Sequence, residues 1–254
     1  MEPVINLARL DLRAGRPGEA LGLLDGLLHG LREGTPIHLH QRILHLDQIT
    51  QSAGERAEAY RWAWTVYLGD GMRALAAQGQ WQKAAEQAHL LGGVGRRLFD
   101  GRQVTVLARL TAGETEQAMR LVEESEVYEP WERCVQLLLR LRCRHDSEEV
   151  EKLVETIRTL ETPLFATRAG LTGLHLMKRG QPPAEDLLEQ VVKNAMKDGY
   201  AARDLLADTS ASLTEIDSKR LSAVCTEAGI GPNTLPDELL TQLAQALRTL
   251  RPKL

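Results

Sequence analysis

The sequence predicts an all-α protein, and three observations support that fold class. Leucine and alanine, two strong helix formers, supply 43 and 28 of the 254 residues. The aromatic residues that β-strands favour number only ten. Short segments with helical periodicity alternate with small turns, and no stretch of any length has the pattern typical of a strand. We therefore expect helices throughout and no all-β domain.

Composition and charge narrow the class of protein further. A hydrophobic fraction of 43% is sufficient for a sizeable core, and the net charge of −4 gives no bias toward nucleic acid. The N-terminus lacks the features of a secretory signal, and no apolar run approaches the roughly 18 residues that span a bilayer. The three cysteines form no Cys-x-x-Cys pair, which suits a reducing compartment. These features predict a cytoplasmic protein that does not associate with a membrane.

Four predicted turns share one local pattern, a glycine followed five residues later by an alanine. The pairs are Gly15 with Ala20, Gly54 with Ala59, Gly79 with Ala84, and Gly113 with Ala118. Each glycine is expected to end a helix in the left-handed conformation, and polar residues then begin the next helix. The small alanine would lie where that next helix crosses its predecessor closely.

The spacing of these turns approaches a fixed period. Gly79 and Gly113 are 34 residues apart, Ser147 follows after 34 more, and Gly180 after another 33. A 34-residue period of two helices is typical of a helical-hairpin solenoid, and in its turn glycines, polar residues and alanines the chain resembles the tetratricopeptide repeat (TPR) family. The resemblance implies a right-handed α-solenoid of about six antiparallel hairpins over residues 1–200. Residues 201–254 would then form C-terminal capping helices.

The match to this repeat family has departures. The first turn glycines are 39 and 25 residues apart, and Lys152 and Glu185 replace the alanine in the last two units. An irregular all-helical bundle with similar turns is the alternative architecture.

Local signals place several helices along the chain. Ser52 with Glu55, and Thr111 with Glu114, have the spacing of capping boxes at helix starts. Residues 150–160 carry an apolar stripe at helical spacing, which is typical of a core-facing helix. Segments 213–228 and 236–250 are predicted to form the two closing helices.

Motifs for metal, phosphate or nucleic-acid chemistry are weak. His38, His40 and His45 lack the spacing of a helical metal site, so they are expected to lie in a polar surface turn. The glycine-rich stretch 92–97 follows a helix rather than a strand, which favours an inter-helix turn over a phosphate-binding loop. Residues 221–235 resemble a helix-turn-helix, but the acidic residues that follow disfavour DNA binding. No cofactor, metal site or catalytic constellation is predicted.

The TPR resemblance also implies where a ligand would bind. Groove residues in that family lie about two, three, six and ten positions before each turn glycine. The candidates so defined are Arg9, Arg13, Gln48, Arg73, Gln103, Leu107, Leu141, Arg144, His145, Leu174 and Lys178. The set holds six basic side chains and no carboxylate, which suits an acidic peptide or a free C-terminus. Solvated ends of amphipathic helices are the alternative interpretation.

Three classes of function follow from this pattern. The favoured one is a non-enzymatic scaffold that binds a protein or peptide in the concave groove. The alternative is a regulatory protein that senses a ligand or peptide through a TPR-like array and acts in transcriptional control. An all-helical enzyme is least favoured. An exposed Trp62 would in addition mark a surface for a partner or for self-association into a homo-oligomer, although core packing is the favoured interpretation of the aromatic residues at 60–67.

Overall fold

The computed structural model describes residues 1–39, 42–46, 50–144, 146–177, 182–230, 238–242 and 245. Within these ranges the protein is helical apart from one short β-hairpin, which confirms the predicted all-α class. The handedness and the number of repeats in the predicted solenoid stay predictions. Among the described helices, none combines the length and apolar character that a bilayer span requires.

Thirteen α-helices have defined bounds in the described ranges, and residues 238–242 are helical as well. They are α1 (Glu2–Arg13), α2 (Pro17–Glu33), α3 (Ala53–Val66), α4 (Met72–Ala77), α5 (Trp81–Leu90), α6 (Asp100–Thr111), α7 (Thr115–Glu123), α8 (Pro130–Cys143), α9 (Ser147–Arg158), α10 (Pro163–Leu176), α11 (Pro182–Ala195), α12 (Gly199–Ala207) and α13 (Glu215–Glu227). A π-helix, Tyr67–Gly71, joins α3 to α4, so residues 53–77 form one continuous helical segment. The strands are β1 (Ile37–Leu39) and β2 (Arg42–Leu44).

The β-hairpin corrects the expectation that the chain holds no strand. Strands β1 and β2 pair antiparallel, with Ile37 opposite Leu44. Gly34 ends α2 in the left-handed conformation, and Pro36 cannot extend the helix because it lacks an N–H. Ile37 is buried against Gly30 of α2, where a β-carbon would come within 2.8 Å of the Ile37 side chain. The hairpin is therefore anchored to the core by apolar side chains that the short sequence pattern did not reveal.

The chain divides into two compact units, Met1–Glu149 and Val150–Leu254. In the first unit, α1 packs on α2, α2 on α3 and α4, α4 on α5, α5 on α6, α6 on α7, and α7 on α8. In the second unit, α10 packs on α11 and α12, α11 on α12, and α12 on α13. Most of these packed pairs are adjacent in sequence. The predicted boundary at residue 200 lies inside the second unit, in α12.

Three of the four predicted turn glycines do end helices in the left-handed conformation. The φ angles of Gly15, Gly79 and Gly113 are 71°, 72° and 78°. Gly54 was predicted wrongly, because it lies inside the first turn of α3 rather than in a turn between helices. The alanine five residues on is buried in all four cases: Ala20, Ala59, Ala84 and Ala118. Small residues at these positions therefore allow close approach between neighbouring helices.

Helix caps agree with the sequence in part. The Ser52 hydroxyl accepts a hydrogen bond from the Glu55 N–H at 3.2 Å, as predicted. Thr111 caps no helix start, because it is the last residue of α6. An unpredicted box begins α8, where the Glu132 carboxylate accepts from the Glu129 N–H at 3.0 Å. The apolar stripe predicted at 150–160 is buried on α9 as far as Ile157, whereas Leu160 lies beyond the end of that helix and is half-buried.

An ion pair links the loop that precedes α6 to the first turn of α8. Arg97 donates from Nε and Nη2 to the two carboxylate oxygens of Glu132, both at 2.8 Å. Glu132 also accepts from the N–H groups of Tyr128 and Glu129. The Arg97 guanidinium lies 4.7 Å from the ring centre of Phe99 and 5.4 Å from that of Tyr128. These contacts fix the N-terminal ends of α6 and α8 within the first unit.

Candidate functional site

A buried carboxylate in the first unit holds two arginines that sequence reasoning selected as groove residues. Arg9 of α1 donates from Nε to Asp70 Oδ2 at 2.7 Å, and Arg73 of α4 donates from Nη1 to Asp70 Oδ1 at 2.8 Å. The Asp70 side chain is only 7% exposed, whereas those of Arg9 and Arg73 are 48% and 65% exposed. Together with Asp100, these residues are called the Asp70 cluster below.

The π-helix positions Asp70 in this cluster. Its wider turn interrupts the α-helical ladder at Gly69–Asp70–Gly71, and such turns are frequent at functional sites. A β-carbon at Gly71 would lie 3.1 Å from the Tyr67 ring, so glycine lets the ring pack tightly there. The Tyr67 hydroxyl donates to Asp25 of α2 at 2.7 Å, which anchors the π-helix to that helix. Burial raises the pKa of Tyr67, and the Asp25 carboxylate raises it further.

Asp100, the first residue of α6, completes the cluster. Its carboxylate lies beside Gly69, 3.8 Å from where a β-carbon would stand. Partial burial raises the pKa of Asp100, the nearby Arg73 opposes that rise, and Asp70 adds to it. The two guanidinium groups and two carboxylates of the cluster cancel in formal charge. Recognition at this site would therefore depend on the direction of fixed N–H groups rather than on excess charge.

The cluster leaves donor groups available at the surface. A guanidinium carries five N–H donors, and Asp70 takes the Nε donor of Arg9 and one Nη1 donor of Arg73. Because both side chains are about half exposed or more, their other N–H groups can face a ligand. A guanidinium binds a carboxylate in bidentate geometry, through two parallel N–H···O hydrogen bonds.

Among the polar candidates, the described contacts bring together Arg9 and Arg73 only. Arg13, the last residue of α1, is exposed one turn beyond Arg9, and Arg144 is exposed at the end of α8. Gln103 turns its Nε2 toward the Leu98 carbonyl, at 2.6 Å. Asp70, which the candidate set does not include, pairs with both clustered arginines.

The apolar candidates differ in how accessible they are. Leu107 and Leu174 are half-buried, and Leu141 is buried within the first unit. The Leu141 side chain of α8 therefore packs in the interior of the first unit and offers little surface to a ligand. Three further candidates lie outside the described residues: Gln48, His145 and Lys178.

Sequence reasoning missed the two carboxylates of the cluster. Asp70 precedes Arg73 by three residues, a spacing at which opposite charges pair on a helix. The Gly-Asp-Gly run inside a helical segment was a further local signal, because glycine disfavours a regular helix interior. No local sequence pattern predicts that Asp100 belongs to the cluster. Nor does any predict the pairing of Asp70 with Arg9, which is 61 residues away.

The glycine-rich stretch before α6 forms the inter-helix turn that the sequence predicts. Gly92, two residues beyond the end of α5, is left-handed, with a φ of 67°. Arg96 pairs with Glu126 at 3.0 Å, and Arg97 pairs with Glu132. Both guanidinium groups are therefore already matched by carboxylates of this chain.

The histidine cluster and the helix-turn-helix motif are described only in part. His38 on β1 and His45 after β2 are exposed, and His40 lies outside the described residues. In the ranges that the structure covers, no three Cys, His, Asp or Glu side chains are grouped as a metal site would require. Helix α13 ends before a left-handed Gly229, but residues 231–237 of the motif lie outside the described ranges.

A separate cleft of about 570 Å³ lies between α5 and α6. Glu86, His89 and Arg109 line it together with alanines of both helices. Arg109 pairs with Glu114 at 2.6 Å, which occupies part of its donor capacity. The cleft therefore offers fewer fixed, available donors than the Asp70 cluster.

Comparison of this chain with protein-family models, with curated proteins and with solved structures gave no match. The likeness to TPR proteins accordingly rests on the turn residues and their spacing.

Proposed function

We propose that the protein is a non-enzymatic scaffold that binds a peptide or another protein through the Asp70 cluster. The observation that carries the proposal is the attachment of Arg9 and Arg73, from two helices, to one buried carboxylate. This attachment limits the side-chain entropy that each arginine would lose on binding. Exposed N–H groups then face a ligand from positions that are fixed in advance.

The ligand chemistry that fits is a carboxylate, from an acidic side chain or a free C-terminus. Guanidinium groups bind carboxylates through paired, charge-assisted hydrogen bonds. Asp100 would oppose such a ligand because its own carboxylate lies beside Arg73. Binding should therefore be coupled to proton uptake by Asp100, whose pKa is already raised by burial.

The proposed setting is the cytoplasm. Cys134, Cys143 and Cys225 are free thiols, which a reducing compartment would preserve. Trp62 is 37% exposed, and self-association through it is a further proposal that a molar-mass measurement would test.

Selection from a displayed library of random peptides tests the proposed function. We expect the full-length protein to enrich peptides with acidic side chains or a free carboxyl terminus. Arg9→Gln/Arg73→Gln should lose that enrichment. Arg120→Gln is the matched control because Arg120 is exposed on α7, outside the cluster. Enrichment of peptides without acidic groups would count against the proposal. So would equal enrichment of acidic peptides by Arg9→Gln/Arg73→Gln and by Arg120→Gln.

A further inference from the structure

The second unit contains a second carboxylate that holds two arginines. Arg168 of α10 donates from Nε to Asp204 Oδ2 at 2.7 Å, and its Nη2 lies 2.7 Å from the same oxygen. Arg203 of α12 donates from Nε and Nη2 to Asp204 Oδ1, at 3.2 and 2.8 Å. These three residues and Tyr200 are called the Asp204 cluster.

The charges of this cluster do not cancel. Two guanidinium groups face one carboxylate, which leaves one formal positive charge within the cluster. Burial would raise the pKa of Asp204, but hydrogen bonds from Arg203 and Arg168 outweigh it and lower that pKa. Arg168 alone is enough to link α10 to Asp204 of α12. Arg203 is therefore not needed for that structural link.

The unused donors of the cluster are directed away from Asp204. Both arginines use Nε and Nη2 for the carboxylate, so the two N–H groups of each Nη1 are left over. Arg168 and Arg203 are 57% and 50% exposed, which leaves these groups accessible. An oxyanion that approaches from solvent can bind the outer ends of both guanidinium groups.

An aromatic ring lies beside these donors. The Arg203 guanidinium is 5.1 Å from the ring centre of Tyr200, which limits the rotation of that guanidinium. Tyr200 is 53% exposed and supplies apolar surface next to the charged groups. A ligand with an apolar side chain next to its acidic group would contact both features.

A histidine–carboxylate contact lies farther along α10. His175 Nε2 of α10 lies 2.9 Å from Asp208 Oδ2, beyond the end of α12. Asp208 also accepts hydrogen bonds from the N–H and the hydroxyl of Ser210. Asp208 is thus engaged by its own turn and by His175.

The Asp204 cluster repeats the arrangement of the Asp70 cluster. In each unit, arginines from two different helices attach to the two oxygens of one largely buried carboxylate. We propose that the Asp204 cluster is a second binding site for the carboxylate of an acidic peptide, with preference for an apolar residue beside the acidic one. This inference rests on the proposed peptide-binding function and extends it to the second unit.

Nuclear magnetic resonance of arginine Nε–H groups in the full-length protein tests the second site. The probe is an N-acetylated, C-amidated peptide of alternating leucine and glutamate, and the matched peptide has glutamine in place of glutamate. The glutamate peptide should shift the Arg168 and Arg203 resonances, and the glutamine peptide should not. This readout uses the unaltered chain, so it does not depend on how well a variant folds.

Variants then measure how much the second site contributes. Arg168→Gln/Arg203→Gln should weaken binding of the glutamate peptide to the second unit by about tenfold or more. Arg220→Gln, in exposed α13 surface, should leave it unchanged. Resonance shifts at Arg9 and Arg73 without shifts at Arg168 and Arg203 would contradict the second site and leave the proposed function intact. No shift at any of the four would overturn the proposed function as well.

Discussion

The Arg97–Glu132 pair joins a fully buried carboxylate to a guanidinium that is one-third exposed, through two hydrogen bonds of 2.8 Å. Glu132 also accepts two backbone N–H groups at the start of α8. The carboxylate thus has partners for its charge on several sides, which is the condition under which a buried ion can be tolerated.

Removing this charge should destabilise the first unit. We predict that Glu132→Gln lowers the free energy of unfolding by about 2–4 kcal/mol, because the amide leaves Arg97 without its counter-ion. Denaturant titration measures the change. Glu33→Gln is the control, since the Arg32–Glu33 pair is exposed and its loss should cost less than about 1 kcal/mol. Equal effects of the two substitutions would contradict this account.

The Arg97–Glu132 pair should make the free energy of unfolding depend on pH in the acidic range. Hydrogen bonds from Arg97 lower the pKa of Glu132 from 4.5 to about 2. Its contribution to stability is therefore complete above pH 4.5 and is lost as pH falls toward 2. The difference in unfolding free energy between the wild type and Glu132→Gln should shrink across that window. A difference that stays constant down to pH 2 would refute the assignment.

Gly113 and Gly54 should respond to substitution by alanine in opposite directions. Gly113 is left-handed, so Gly113→Ala should cost about 1 kcal/mol of unfolding free energy. Gly54 lies in the first turn of α3, where alanine reduces the entropy of the unfolded chain, so Gly54→Ala should stabilise by about 0.5 kcal/mol. Thermal unfolding of both variants checks the signs. A stabilising Gly113→Ala would be inconsistent with the described turn.

Asp100 should restrain ligand binding at the Asp70 cluster. Asp100→Asn removes a negative charge beside Arg73, so affinity for an acidic peptide should rise about two- to fivefold. Isothermal titration calorimetry in two buffers of different ionisation enthalpy would also show less proton uptake for this variant. If Asp100→Asn matched the wild type in both affinity and proton uptake, Asp100 would have no role in ligand binding at the Asp70 cluster.

Local features of the fold were predictable from the sequence, because they depend on neighbours in the chain. The left-handed Gly15, Gly79 and Gly113 followed from turn chemistry, and the buried Ala118 followed from its distance to the turn. The hairpin at Ile37 was missed because three residues carry too little pattern to compete with flanking helices.

The candidate site was predictable only in part. Arg9 and Arg73 followed from the TPR resemblance, but their shared partner depends on how distant helices pack. The π-helix that turns Asp70 inward has no simple periodicity in sequence. The Asp204 cluster was missed because Arg168 and Asp204 lie 36 residues apart and outside the positions that the resemblance selects.

Fluorescence anisotropy of a selected acidic peptide, titrated with the full-length protein, tests the central claim most directly. The account predicts that Arg9→Gln/Arg73→Gln weakens binding at the Asp70 cluster by about tenfold or more, while Arg120→Gln binds as the wild type does. Circular dichroism should show that all three proteins keep the same helix content. Equal affinity for the wild type and the Arg9→Gln/Arg73→Gln variant would contradict the claim.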